Sequence, residues 1–379
     1  MKIFVNAYCN KGGGIQVCDG LIRTLGDFAE YEFIVCASPE VMSSLGGNFR
    51  APKNVKMLKR PLQTTLQRIL GRYSATDLII KEQLVDAVFT VFGPSYWRPN
   101  VPHLCGFAIP HYVIDNYCGP LERWPLMKRV KFFIYKTIQM HSFKCHADAI
   151  VVENPLIGKR LKEKFGIAEV YTVYNTCNQV FYDEKSWNKG ISLPEFSGRT
   201  ILTLASYYPH KNLEILVPTA RQLREMHPDF PFRFVMSIER GQLKADISGV
   251  EDNFIFLGKV SIDKCPWLYR QSDLMLLPTL LECFSASWVE SMVMEIPIIT
   301  SDLSFAHGIC EDAACYVDPT SPKKLAEAIY DLSCSVDMRR KLVENGKRVC
   351  LKFADARTRM REYLDIIEKL SASAGGRGQ

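Results

Sequence analysis

The sequence predicts two α/β domains, each a doubly wound parallel sheet with helices on both faces. Three observations predict it. Short apolar runs alternate with longer amphipathic stretches, the pattern of buried parallel strands between helices. That rhythm breaks at a polar stretch in mid-chain and then repeats. The length of 379 residues also exceeds what one hydrophobic core usually covers.

In the first half the strand candidates are IFVNA at 3–7, EFIVCA at 32–37, VKML at 55–58, AVFTV at 87–91 and AIVV at 149–152. Helical patterns lie between most of them, as at 16–29 and 156–165. The second half offers TILTLA at 200–205, RFVMS at 233–237, NFIFL at 253–257, LMLL at 274–277 and IPIIT at 296–300. Residues 183–199, DEKSWNKGISLPEFSGR, are polar with a proline and two glycines, and read as the linker. The expected organisation is therefore a domain over 1–182, the linker over 183–199 and a second domain over 200–352. Residues 353–370 are expected as a helix returning to the first domain, and 371–379, SASAGGRGQ, as a disordered tail. In such sheets ligands bind at the carboxyl ends of the strands, so the expected site is the cleft between the halves.

Bulk composition narrows the class. Hydrophobic residues make up 47% and charged residues 23%, ordinary for a soluble globular protein. A net charge of +6 favours an anionic partner but is too small to imply nucleic acid. The 13 cysteines form no C-x-x-C pair and several lie in apolar runs, as core residues of a reduced compartment do. The opening MKIFVNAYCNKGGG reads as a first strand and not as a secretion signal. No run approaches the roughly 18 apolar residues of a spanning helix. The expectation is a cytoplasmic protein that at most lies on the inner face of a membrane.

Three stretches carry candidate chemistry. Lys11-Gly12-Gly13-Gly14-Ile15-Gln16 follows a strand and opens a helix, so its backbone can approach an anion closely. It is not G-x-G-x-x-G, and no acid ends the next strand at Ala37-Ser38, which argues against a dinucleotide and an oxidoreductase. The plain alternative is a flexible turn that only starts a helix. Next, Ala205 to Leu213 reads ASYYPHKNL directly after a strand. Lys211 there can reach a phosphate at the sheet edge, or can simply be solvated. Third, Leu281 to Glu290 reads LECFSASWVE. A helix starting near Ser285, capped by Ser285 or Ser287, would aim the N–H groups of Phe284 to Ser287 out of the carboxyl edge. That is an anion site without a basic side chain. Glu282 and Glu290 flank it, and a carboxylate only accepts hydrogen bonds, so both suit hydroxyl groups. Diols on both sides of a diphosphate describe a nucleotide sugar. The plain alternative is a capping box, Ser287-x-x-Glu290, beside an exposed loop acid.

The order PHKN, FLGKV, LPTLLECFSASWVE and IPIITSDLSFAHGICEDAACYVDP resembles the retaining GT-B glycosyltransferases. These are the group 1 type that includes many bacterial lipopolysaccharide and capsule transferases. The resemblance is strongest from Ala205 to about Leu325. It is consistent in the first half through the GGG loop, IPH at 109–111, DAIVVE from Asp148 and YNTCNQVF. It implies two Rossmann-like domains facing a cleft, and a hexosyl or N-acetylhexosaminyl transfer from a nucleotide sugar to a glycan or lipid-linked glycan. It implies that Glu290 holds the ribose hydroxyls and Glu282 those of the transferred sugar. Amides around Cys283, Phe284 and Ser285 would hold the diphosphate beside Ser206, and Lys211 would neutralise it. The backbone at Gly258 would meet the base, and Gly13 and Gly14 would close over the phosphates and acceptor. No cofactor and no metal are implied, and the chain has no D-x-D to bind one.

The chain also departs from the family. The arginine usual near Ser206 is missing, with Arg240 as a candidate replacement; E-G-F-G is E-C-F-S; and an acid common near Gly308 is absent. An epimerase or phosphorylase on the same fold, or a catalytically silent partner subunit, are the rival readings.

Two further features complete the inventory. His111 follows an apolar segment, CGFAIP, where a neutral imidazole takes a proton from an acceptor hydroxyl or serves only structure. His141, Cys145 and His146 are too few and too close in sequence for a zinc site. Over 121–144 six Lys or Arg oppose one acid and interleave with aromatics, placing Arg123, Trp124, Lys128, Arg129 and Lys131 on a basic amphipathic helix. Such a helix can lie on an anionic membrane, next to a lipid-carried acceptor, or pack by its aromatic face with solvated lysines.

Overall fold

Every strand of the computed structural model pairs parallel to its neighbours, among the residues it describes (1–9, 12–59, 74–114 and 125–375). The strands fall into two sheets, and the chain into two compact units: residues 1–175 with 354–375, and residues 176–353, among the described residues. The first sheet runs β3-β2-β1-β4-β5-β6-β7. Its strands are β1 (Lys2–Ala7), β2 (Glu32–Ala37), β3 (Val55–Lys59), β4 (Ala87–Thr90), β5 (His103–Phe107), β6 (Ala149–Val152) and β7 (Val170–Thr172). The second runs β10-β9-β8-β11-β12-β13. These are β8 (Arg199–Thr203), β9 (Phe232–Met236), β10 (Phe254–Phe256), β11 (Leu274–Leu277), β12 (Ile298–Ser301) and β13 (Ala314–Val317).

Each strand order reverses direction once, between β1 and β4 and between β8 and β11. These are the topological switch points, where two neighbouring loops diverge and leave an opening. The central strands are apolar on both faces because helices cover both, so β11 is buried throughout. Trp288 is fully buried beneath it, and its indole N–H donates to Thr300 Oγ1 at 3.1 Å.

β5, β7 and β13 are not among the strand candidates read from the sequence. β5 reads HLCGF, and its Gly106 is needed because a Cβ there would run into the Val91 carbonyl oxygen. β7 is a three-residue edge strand, VYT, with partly exposed side chains; β13, ACYV, is apolar throughout, so its signal was present in the sequence and was missed. The helical pattern at 16–29 is observed as a helix over Gly13–Thr24 followed by a 3-10 turn, Leu25–Asp27. Asn54 explains the early end. Its side-chain N–H groups lie 3.0 Å from both the Leu25 and Phe28 carbonyls, which therefore need no further helical turn.

The segment 183–199, expected as a linker, packs within the second unit. Asn188 Nδ2 donates to Asp263 Oδ2 at 2.9 Å, and Arg233 donates to the Pro194 carbonyl at 2.7 Å. At the other end the helix Ala356–Gly375 continues past Ser371, where disorder was expected. Ser371 and Ser373 bond back to the carbonyls of Ile367 and Lys369, so these short polar side chains fit the helix. This helix buries Met360, Tyr363, Leu364 and Ile367 in the core of the first unit. Arg359, on the same helix, donates to Glu153 at 3.0 Å just beyond β6.

Candidate functional site

Two loops leave the carboxyl edge of the second sheet side by side, one after β8 and one after β11. They are stitched together. The Leu280 N–H donates to the His210 carbonyl at 2.7 Å. Asn212 adopts a left-handed conformation, φ 57°, which asparagine tolerates better than most residues. Its side chain donates to the carbonyls of Pro278 (3.2 Å) and Pro319 (2.8 Å). Pro209 opens the 3-10 turn Pro209–Lys211, and the turn aims Lys211 across to the second loop. There Lys211 Nζ and the Glu282 carboxylate form an ion pair, with side chains 14% and 9% exposed. Thr279 Oγ1 is 3.0 Å from Glu282 Oε1. Two charges this far from water need each other, so position and charge are fixed together.

Behind Glu282 the helix Ala286–Val293 begins, with Ser285 at its N-cap in extended conformation. The capping expectations are corrected here. Ser285 makes no side-chain cap bond, and Ser287 donates instead to the Leu204 carbonyl at 2.8 Å, tying the helix to the end of β8. Ser287 and Glu290 form no capping box, because both lie inside the helix. No acid occupies the first turn, so the positive end of the dipole is uncompensated there. Cys283 and Ser285 are buried, and the Phe284 ring meets Phe353 edge-on at 5.7 Å.

Glu290 is buried. The Tyr269 hydroxyl lies 3.2 Å from one of its oxygens and 3.2 Å from the Ser287 carbonyl. Burial pushes the Glu290 carboxyl up to about 7, against a smaller downward pull from that hydroxyl. Gly258 has φ +68°, and a Cβ there would strike the Glu239 carboxylate, so glycine is required. Ser206 is exposed near the end of β8. Arg240, the candidate replacement cation, donates to the Leu243 carbonyl at 3.1 Å and lies 5.6 Å from the Phe256 ring centre.

Lys211, Glu282, Ser285 and Glu290 thus gather at one edge of the second unit. Ser206, Gly258, Cys283 and Phe284 also belong to the second unit, and the other candidates belong to the first. Gly13 and Gly14 open the helix Gly13–Thr24, after Gly12 at φ +61°. His111 is exposed in the turn Pro110–Tyr112, its ring 4.6 Å from that of Tyr112 and 5.7 Å from that of Phe132. Lys128, Arg129 and Lys131 are exposed on the helix Leu126–His146, while Arg123 and Trp124 lie outside the described residues. His146 Nδ1 lies 3.0 Å from Ser142 Oγ, and His141 Nδ1 lies 3.7 Å from Cys145 Sγ. Sequence reasoning missed three residues that build the site. Asn212 had a signal, the N of PHKN, as a left-handed turn residue. Thr279 and Tyr269 had none, since only the fold brings them to the acids.

With this geometry in place, the likeness to known proteins can be weighed. Residues 189–349 match the family described as glycosyl transferases group 1. The chain is 24% identical to an uncharacterised glycosyltransferase of Methanocaldococcus jannaschii over 295 residues, 76% of each chain. Its fold is similar to that of sucrose-phosphate synthase from Thermosynechococcus elongatus, with TM-score 0.72, 14% identity and coverage of 98% and 99%. It is also similar to Anabaena HepE, solved in complex with UDP and glucose, with TM-score 0.67, 14% identity and coverage of 97% and 100%.

Proposed function

We propose that the protein, whose residues 189–349 match the group 1 glycosyl transferases and whose two parallel-sheet units have the GT-B fold, transfers a sugar from a nucleotide diphosphate sugar to a glycan or lipid-linked glycan. The observation that carries this reading is the Lys211–Glu282 pair at the β8/β11 switch point, beside an uncapped helix N-terminus. Lys211 and the first amides of Ala286–Val293 face the leaving diphosphate, where fixed donors stabilise developing charge. Glu282 accepts from hydroxyls of the transferred sugar. Glu290 accepts from the ribose hydroxyls. Gly258 meets the base. Catalysis is then mostly positioning and charge stabilisation, with the anomeric configuration retained and no metal required. Gly13 and Gly14 of the first unit serve the donor phosphates and the acceptor, and neutral His111 takes the acceptor proton.

The same proposal places the protein on the cytoplasmic face of an anionic membrane. On the helix Leu126–His146, Met127, Val130, Phe133, Ile134 and Ile138 are exposed at helical spacing. Met140 and Phe143, on its inward side, are buried. Lys128, Arg129 and Lys131 accompany the exposed stripe, a pairing that suits a surface both apolar and anionic. No helix among the described residues is long and apolar enough to cross a membrane.

The test is transfer of labelled sugar to a membrane glycolipid extract by the wild type and by Lys211→Ala and Glu290→Ala. Both variants are expected to fold and to lose transfer. Full activity in both sinks the assignment.

A further inference from the structure

We propose that His210 is a second cation of the donor site, taking up a proton from solvent when the diphosphate of a nucleotide sugar arrives; this rests on the donor reading above. Three observations carry it. The first is a shortage of positive charge. No arginine lies near Ser206 in the sequence, and the Arg240 guanidinium is held by the Leu243 carbonyl and the Phe256 ring. The second is that Lys211 is already balanced by Glu282, so the pair is neutral overall. A diphosphate diester brings two negative charges to it. The third is that His210 is fixed at the same place. Its carbonyl accepts from the Leu280 N–H at 2.7 Å and lies 3.1 Å from Thr279 Oγ1. Its ring stacks on that of Tyr208, with centres 5.5 Å apart and planes 12° apart.

The charged groups facing the imidazole are Glu282 from the second loop and Lys211 from its own turn. Burial lowers its proton affinity below the ordinary histidine value; Glu282 acts the other way and Lys211 adds to the lowering. The free ring is therefore mostly neutral near pH 7. Arriving phosphates add negative charge close by and favour the imidazolium. A neutral ring before binding also spares Lys211 a repelling neighbour. Glu290 responds with the opposite sign, because a ribose contact favours its carboxylate and releases a proton.

Calorimetry of the full chain, in buffers of differing ionisation enthalpy, counts these protons. UDP-glucose, GDP-mannose and ADP-glucose are the probes, since phosphates in a diester do not titrate near neutrality. For the probe that binds, the proton count of wild type is expected to exceed that of His210→Gln. For about one unit of differential proton affinity, the affinity of His210→Gln should fall several-fold near pH 6, approach about tenfold only below the free ring's own value, and fall less than about twofold near pH 8. His210→Lys, a permanent cation, is expected to bind more tightly than wild type near pH 8, where the histidine is neutral, and without the extra proton. An unchanged proton count in His210→Gln, or an equal loss at both pH values, overturns the proposal, the latter marking a structural role. If none of the three probes binds wild type, the donor reading itself falls and takes this inference with it.

Discussion

Lys211 and Glu282 stand 71 positions apart and meet as an ion pair at the carboxyl edge of one sheet. The pair forms because β8 and β11 are neighbours, and because Asn212 and Leu280 tie the two following loops together. Breaking a buried pair from one side leaves an uncompensated charge, at a cost of about 3–5 kcal/mol. Lys211→Ala should therefore lower the unfolding free energy by more than Lys211→Met combined with Glu282→Leu. Denaturant titration of the single and double variants measures the difference, and equal costs would show that the pair does not act as a unit.

Glu290 predicts a pH dependence of stability in the unliganded protein. Its folded value, about 7, lies above the ordinary 4.5 that it takes when unfolded. The folded state thus binds more protons between those values. The stabilising contribution of the neutral carboxyl is complete below 4.5 and is lost as pH rises to about 7. Glu290→Gln, which cannot ionise, should be more stable than wild type by up to about 3 kcal/mol near pH 8. The gain should shrink to under about 1 kcal/mol near pH 5 and vanish below about pH 4. Thermal melts across that range check it, and a gain independent of pH would contradict the assignment of the shift to Glu290.

Arg359 and Glu153 join the terminal helix to the end of β6 across 206 positions. Arg359 also bonds Asn175 and, at 2.9 Å, the Tyr363 hydroxyl. Burial raises the Glu153 carboxyl, and Arg359 holds it down. Arg359→Ala should cost about 3–5 kcal/mol, whereas Glu153→Leu with Arg359→Met should cost less. Hydrogen exchange in 356–375 is the readout, with faster exchange expected in Arg359→Ala alone. Wild-type protection in that variant would remove the pair from the account of how this helix is held.

The basic helix predicts salt-sensitive vesicle binding. Each Lys or Arg near an anionic surface contributes about 1 kcal/mol, so replacing Lys128, Arg129 and Lys131 by Gln should weaken binding about a hundredfold. Phe133→Ser with Ile134→Ser should weaken binding at low and high salt alike. Sedimentation with vesicles of phosphatidylglycerol and phosphatidylcholine separates the two effects. Equal sedimentation of all variants would leave the exposed stripe without a membrane role.

Long apolar runs made β1, β2, β8 and β11 legible, because a strand buried on both faces needs an unbroken apolar sequence. β7 stayed hidden because three residues make too short a run, whereas β13, ACYV, is apolar throughout and was legible but overlooked. The acids at 282 and 290 stood out by their spacing, and the structure buries both. What the spacing left unread was how each acid is held. Glu290 depends on Tyr269, which arrives from 21 positions upstream, and Glu282 on Lys211 and Thr279. Those contacts follow from strand order, which residue types alone do not encode. The serines show the reverse case. Their capping propensity was plain, yet Ser287 found a better partner in the Leu204 carbonyl once the helix was set against β8.

The central claim is that a sugar nucleotide binds at the β8/β11 switch point. A thermal-shift screen of the wild type and Lys211→Ala against UDP, GDP, ADP and their sugars tests it most directly, because only a ligand of the folded state raises the melting temperature. One nucleotide and its sugar are expected to stabilise the wild type, and the shift is expected to be lost in Lys211→Ala. No shift with any of them, or an equal shift in Lys211→Ala, would contradict it.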